Sequence, residues 1–404
     1  MVLGVLFAGH IVSFGIRASF GAYISPWEQD FSVGRTVVTS ISMLGFVVFA
    51  LCQPFAGKLN DLAGKAIVPV TGIFLVGISL FLTALANHIW QVFALFGVVF
   101  SIGVAGCTNS IVAAIVTNWF HKKRGLALGL SMSGLAVGQL ILVPASMFII
   151  ERFGWRISMG VMGVVVVVVV GPLFMFLLKS SPEEKGLKPY GYEQTGQDDK
   201  PIEEVVQGAG KSLPVYSLFR KKAFWLLTIP YFICGFTDVG IIQTHLIPMT
   251  HDKGFPVSGV AVAISLIAIA NIAGTIVTGH LSDLFNRKRQ LALIYTIRAA
   301  TYVFLIFLQQ PWMLLLFALL FGAVEMASIA PTNSLAVQLF DGYSIGVVLG
   351  VVAVSHQLGG AVGSWIPGIL YDLTGSYNFV MAFAIVILLA GAFMTLRLHV
   401  PGKQ

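Results

Sequence analysis

A chain of 404 residues, 57% hydrophobic and only 10% charged, cannot clothe two or three soluble domains in a polar skin, because a soluble domain carries about a quarter charged residues. Its net charge of +7 does not point to nucleic acid, since the Lys and Arg stand in short clusters between long apolar runs and form no patch with aromatic neighbours. The solvent that suits such a chain is a lipid bilayer. Its three cysteines, Cys52, Cys107 and Cys234, lie far apart in separate apolar runs. They offer neither a disulfide framework nor metal-ligand spacing and read as small packing residues.

Crossing roughly 30 Å of hydrocarbon takes about 20 mostly apolar residues. Runs bounded by charges or turn residues predict twelve spans: 2–25, 34–57, 66–87, 90–119, 124–150, 155–178, 221–249, 257–280, 290–308, 311–339, 345–370 and 377–398. The first is not a cleavable signal. It lacks a basic leading region, contains His10 and Arg17, and ends at Pro26 without a small-residue cleavage site. Only 179–220 is long, polar and mixed in charge. It reads as a flexible or amphipathic linker, with Ser181-Pro182-Glu183-Glu184 as a helix-start signal. The expected organisation is therefore a six-helix bundle at 1–178, a cytoplasmic linker at 179–220 and a second six-helix bundle at 221–404.

Lys and Arg set the expected orientation. With the N-terminus in the cytosol, the inner segments hold eighteen of them and the outer loops four: Arg35, Arg152, Arg156 and Lys253. Arg17 and Arg298 lie inside spans. Both termini are expected on the cytosolic side.

The halves repeat. Gly57-Lys58-Leu59-Asn60-Asp61-Leu62 recurs as Gly279-His280-Leu281-Ser282-Asp283-Leu284 at a shift of 222, which also carries Pro26 onto Pro248 and Asp30 onto Asp252. Gly125, Gly129 and Gly138 return as Gly346, Gly350 and Gly359 at a shift of 221. Apolar composition alone would not align Asp, Pro and Gly at nearly one offset. The copies keep their direction through the membrane, as in transporters built from parallel repeats with a site near the midplane.

The repeated G-x-L-x-D after spans 2 and 8 resembles the signature loop of the major facilitator superfamily, as do the twelve spans, the long central loop and the glycine-rich spans 5 and 11. The resemblance covers essentially the whole chain. Leu62 and Leu284 replace the first basic residue of that loop and Asn286 the second glycine, while Lys65, Arg287 and Lys288 keep its basic end. It implies an all-α membrane fold of twelve helices in two pseudo-twofold-related six-helix bundles. Within the superfamily the chain looks most like the bacterial monocarboxylate and oxalate–formate branch. That likeness rests on Phe14 to Gly21 in span 1, Asn118-Trp119-Phe120 with Lys123-Arg124-Gly125 after span 4, and His245-Leu246-Ile247-Pro248 in span 7. That branch commonly binds carboxylate through an arginine in span 8. Here span 8 has none and offers Asn271, Thr275 and Thr278 instead, and span 11 lacks the lysine of oxalate exchangers.

Charge at the bilayer centre costs roughly 2.5–3.5 kcal/mol on insertion scales, so it marks a bundle interior and function. Six ionisable residues stand deep: Arg17, Asp238, His245, Arg298, Glu325 and His356. The resemblance implies that spans 1, 4, 7 and 10 line the cavity. Arg17 is the expected anion anchor, because its fork grips a carboxylate bidentately. The alternative is that it pairs with Asp238 or Glu325. Those two carboxyls are the expected proton carriers, with a permanent Glu325–Arg298 pair as the alternative. Asp238 and His245 stand i,i+7, which helical periodicity puts on one face. His245 suits substrate binding or proton shuttling. His356 and the peripheral Arg298 are placed with coupling or structure.

Thr108 and Asn109 in span 4 are mirrored by Thr332 and Asn333 in span 10. Asn109, Thr332 and Trp119 join the substrate-binding set, with hydrogen bonding between helices as the plainer role. Asp61 and Asp283 read as conformational loop residues that favour a neighbouring helix N-terminus. The clustered glycines let spans approach and slide.

The composite expectation is a monomeric secondary transporter of a small organic anion in a bacterial cytoplasmic membrane, proton-coupled or exchanging. A proton-driven exporter of cationic, drug-like molecules is the alternative. No H-E-x-x-H, G-x-S-x-G, Walker loop or cysteine cluster occurs, so no enzyme, cofactor or metal is expected.

Overall fold

The computed structural model describes residues 1–63, 66–191 and 213–400, and among these the side chains of Asp61, Ala63, Lys185, Asp283 and Leu284 are left undescribed. Lys65 and half of the 179–220 linker, residues 192–212, fall outside this part. So do the side chains of Asp61 and Asp283, whose backbones lie in the helices Arg35–Ala63 and Val257–Leu284.

The described residues are helical throughout, apart from short loops and one isolated bridge between Phe120 and Tyr190. Among the described residues ten helices are long and apolar enough to cross a membrane, and a bent pair, Val2–Ala18 with Phe20–Phe31, makes an eleventh. The remaining expected span is the helix Arg287–Ile306, whose polar residues Arg289, Gln290 and Arg298 lower its hydropathy.

The chain divides into two compact units, Met1–Gln197 with Leu246–Ser265, and Asp198–His245 with Leu266–Gln404. In the first, apolar side chains of spans 1, 2, 3, 4 and 6 form one core. An aromatic cluster of Phe20, Tyr23, Trp27, Phe96 and Trp155 belongs to it.

One end of this unit is fastened by charge. Asp30 meets Arg156 at 2.5 Å. Arg35, only 4% exposed, holds Glu28 at 2.6 Å and Asp252 at 2.6 Å. At the opposite end the first residues of the linker are docked. The Trp119 indole donates to the Lys179 carbonyl at 2.8 Å, and Asn118 to that of Ser180 at 3.2 Å.

The spans differ in regularity. Spans 2, 3, 8, 9, 11 and 12 are unbroken α-helices. Span 1 bends by 43° at Ser19. Span 4 carries a π segment, Phe93–Phe100, and a break after Ala105 before the helix Asn109–Trp119. Span 7 is π-wound over Phe236–Gln243, and span 10 breaks between Glu325 and Ile329. Spans 5 and 6 are interrupted too, at Ser133 and at Val166–Val170.

The breaks repeat. The helices after them, Asn109–Trp119 and Ile329–Leu339, each have 11 residues. This offset matches Thr108 with Ser328 and Asn109 with Ile329, so the Thr332-Asn333 pair sits one turn beyond the position that the sequence mirror suggests.

Two glycine crossings recur as well. Gly15 of span 1 lies on Gly138 of span 5, and Gly235 of span 7 lies on the main chain of His356 in span 11. At Gly359 any Cβ would overlap the carbonyl of Phe232, whereas nothing lies within 4 Å of a Cβ at Gly125. Gly359→Ala should therefore cost about 1–3 kcal/mol by overpacking, read as a lower melting temperature in detergent. Gly125→Ala should leave the melt unchanged. In the first unit, Arg35→Ala should cost on the order of 3 kcal/mol, because it strands two carboxylates, and Arg35→Lys should recover only part of the loss in the same melt.

Candidate functional site

Each unit gathers its own polar cluster inside apolar surroundings. In the first, His10, Phe14 and Arg17 follow one face of span 1. The Arg17 guanidinium lies 4.0 Å from the Phe46 ring centroid and 4.4 Å from that of Phe49, both on span 2. Stacking of this kind engages the faces of the guanidinium plane, and its carboxylate-binding edge runs perpendicular to them.

Below it, His10 Nδ1–H donates to the Ser131 carbonyl at 3.0 Å, and Nε2 stands 3.1 Å from Asn109 Oδ1. Two acceptors around one ring suit an imidazolium. A turned Asn109 amide would serve the neutral ring equally. The break in span 4 delivers this contact, because Asn109 is the first residue of the helix that follows it. His10 is absent from the expected site. The available signal was its place in the middle of span 1, seven residues from Arg17 on the same face.

Trp119 does not join this cluster. Its indole is spent on the Lys179 carbonyl. A cleft of about 710 Å³ in this unit is lined among others by Ser25, Gln29, Asp30, Glu151, Arg156 and His251, and none of the expected substrate residues lines it.

The second unit buries more charge. Arg298 on span 9 is fully buried. Its Nη2 donates to the carbonyls of Val324 at 2.8 Å and Glu325 at 2.5 Å, and its Nη1 reaches Cys234 Sγ at 2.9 Å. Those carbonyls close the helix Pro311–Glu325, and the break in span 10 leaves them without intrahelical partners. Tyr302, one turn further along span 9, donates to the Thr237 carbonyl inside the π segment of span 7. Span 9 thus serves the irregular backbone of spans 7 and 10.

The Glu325 carboxylate is held separately. Asn271 donates to Oε2 at 2.8 Å and Gln243 to Oε1 at 3.3 Å, and Thr275 supports Asn271 at 3.2 Å. The Glu325–Arg298 pair that stood as the alternative is thus a bond to the Glu325 main chain and not to its carboxylate. Asp238 sets its carboxyl against that of Glu325. With Arg298 nearby, the cluster holds one guanidinium and two carboxyls, whose charges balance when the carboxyl pair carries one proton.

His245 stands apart from this pair. Its Nδ1 meets Tyr377 Oη at 2.9 Å, and Nε2–H donates to the Ser364 carbonyl at 2.8 Å. The π segment explains the separation. Its turns hold more residues than α turns, so seven residues no longer return to the same face. Thr332 is buried beside Tyr295. The His356 ring lies 4.7 Å from that of Tyr231.

Replacing Arg298 by Met should cost on the order of 3 kcal/mol or more, because it orphans two buried carbonyls. Arg298→Lys, without the fork, should not restore the detergent melt. An unchanged melt in Arg298→Met would contradict the role given to the guanidinium.

Comparison with known proteins adds three findings. A family model described as the Major Facilitator Superfamily matches residues 6–311 and 231–404. Among curated proteins, the chain is 24% identical to an uncharacterized MFS-type transporter, YcxA, of Bacillus subtilis, covering 92% of this chain and 88% of that one. It is also 24% identical to monocarboxylate transporter 13 of Bos taurus, covering 98% and 88%. Among solved structures, a bacterial homolog of the human lysosomal transporter Spinster, in an inward-facing and occupied conformation, superposes with a TM-score of 0.74. That match has 16% identity and covers 98% of this chain and 95% of that one.

Proposed function

Because this chain belongs to the major facilitator superfamily, we propose that it carries a small organic anion of the monocarboxylate class across a bacterial cytoplasmic membrane by alternating access, coupled to protons. The observation that carries this reading is Arg17. A stacked guanidinium inside a span is costly to bury and suited to a carboxylate. The full-length likeness to proteins named monocarboxylate transporters supports the same class.

Asp238 and Glu325 are the proton-carrying pair. Asn271 and Gln243 hold the Glu325 carboxylate while Asp238 faces it, so a proton gained or lost there changes the charge of a site closed to water. In the first unit the His10–Asn109 contact ties span 1, which carries Arg17, to span 4. Thr332, His245 and His356 pack around the carboxyl pair's helices. The two bundles are assigned to 1–178 and 221–404, joined by 179–220, with both termini cytosolic from the Lys and Arg distribution. Asp61 and Asp283 act as loop residues of the conformational change. A cationic cargo would instead use Asp238 and Glu325 as its binding charges.

The test is a screen of organic acids in proteoliposomes with an imposed pH gradient. Wild type should accumulate a monocarboxylate when the opposite side is acidic. Arg17→Ala should reduce uptake at least about a hundredfold, the loss expected when a paired charge worth about 3 kcal/mol is removed, with partial rescue in Arg17→Lys. Glu325→Gln should retain exchange but lose its response to the gradient. Normal transport by Arg17→Ala, or efflux of lipophilic cations with no anion uptake, would refute the anion assignment.

A further inference from the structure

We propose that Cys234, Asp238 and His356 form a binding site for a borderline-soft divalent cation, with Zn²⁺ as the type. The sulfur, carboxylate oxygen and imidazole nitrogen of these residues lie within 4.8 Å of one another. Cys234 and Asp238 are i,i+4 on span 7. His356 belongs to span 11, far along the chain, which is why ligand spacing in the sequence gives no sign of the site. The crossing at Gly235, where the His356 main chain occupies the place of a side chain, brings the two helices close enough for all three to converge. The Tyr231 ring against that of His356 fixes the imidazole.

Around a tetrahedral Zn²⁺, with Zn–S about 2.3 Å and Zn–N about 2.0–2.1 Å, neighbouring donors stand on the order of 3.5 Å apart. Side-chain rotations of about an ångström close the triad onto an ion of that size.

Three independent observations point to a cation here. Asp238 is 3% exposed, and its Oδ1 has no hydrogen-bond partner, an expensive condition that a metal ligand bond removes. Cys234 Sγ accepts from Arg298 Nη1 at 2.9 Å and meets Ser328 Oγ at 3.3 Å. Outer-shell hydrogen bonds of this type hold and tune a metal-binding thiolate. The charges also close. Arg298 and a divalent ion supply three positive charges against the Cys234 thiolate, Asp238 and Glu325.

Binding requires the Cys234 thiol and the Asp238–Glu325 carboxyl pair each to lose one proton to water as the metal–sulfur and metal–oxygen bonds form. A set of one S, one N and one O donor selects Zn²⁺, Co²⁺ or Cd²⁺ over the oxygen-seeking Mg²⁺ and Ca²⁺. Such an ion would clamp span 7 to span 11 and occupy Asp238. Its inhibition of transport rests on the coupling role proposed for Asp238, whereas the site itself does not depend on any cargo.

The test is a Co²⁺ titration of the purified full chain in detergent, read as thiolate-to-cobalt charge-transfer absorption. A saturable band should appear, be displaced by Zn²⁺ and be unaffected by excess Mg²⁺. It should persist in Cys52→Ser/Cys107→Ser, where Cys234 is the one remaining thiol, and vanish in Cys234→Ser. His356→Asn should weaken Co²⁺ binding at least about tenfold, the scale on which metal sites respond to lost partners. No band in wild type, or none in Cys52→Ser/Cys107→Ser, overturns the proposal even if Cys234→Ser fails to fold. A band that survives in Cys234→Ser overturns it as well. The readout is spectral, so it stands or falls separately from the transport assays.

Discussion

In hydrocarbon no water stands ready to pair an orphaned backbone group, so a membrane span may break only where protein supplies the missing partner. The second unit meets that constraint with a guanidinium. Arg298 takes the two carbonyls that the break in span 10 releases, and Tyr302 on the same helix takes one from the π segment of span 7. A hydroxyl would satisfy a single carbonyl. A planar fork satisfies two and reaches Cys234 as well. The irregular stretches of spans 7 and 10 therefore persist because span 9 carries residues that a lipid-facing helix would not keep.

The same choice dictates the charge around it. A buried cation without anions is far more costly than a hydrogen bond is worth, and the groups that answer Arg298 are Cys234, Asp238 and Glu325. Asn271 and Gln243 then hold the Glu325 carboxylate in place. A cluster with more acidic groups than permanent cations must take up either protons or a metal ion to stay neutral in low dielectric. The proposed coupling and the proposed cation site are two expressions of that excess, and both would be set by the geometry of spans 7, 9, 10 and 11. The first unit follows a different plan. Arg17 is met by the rings of Phe46 and Phe49, and a histidine–asparagine contact across a broken span aligns the surrounding helices.

Much of the fold is legible in the sequence because its signals are strong ones. Long apolar runs report the spans, and the aligned Asp, Pro and Gly residues report the duplication. The recurrence of the break before Asn109 and Ile329 shows the same duplication in the backbone, at an offset that matching the Thr-Asn pairs misses. The depth of Arg17, Asp238, Glu325 and Arg298 is legible too, since charge in a span has few uses.

What escapes a periodic reading is departure from the α period. The π segment at Phe236–Gln243 carries His245 away from Asp238, which an i,i+7 rule places together. Arg298 reads as the partner of the Glu325 side chain, because the release of the Glu325 carbonyl depends on a break that composition does not announce. Trp119 reads as a cavity residue but docks the start of the linker. Cys234 reads as packing, because neither Arg298 nor His356 is near it in sequence. His10 is passed over because a lone histidine in an apolar run is weak evidence until Asn109 and Ser131 are seen around it.

The central claim is that the Asp238–Glu325 pair exchanges a proton each time cargo crosses. The most direct measurement follows proton movement and labelled anion together in weakly buffered proteoliposomes without an imposed gradient. The account predicts that a monovalent carboxylate enters with one proton and no net charge, and that Glu325→Gln moves the anion without the proton. Anion entry that leaves the external pH unchanged in wild type, or proton coupling that persists in both Asp238→Asn and Glu325→Gln, would contradict it.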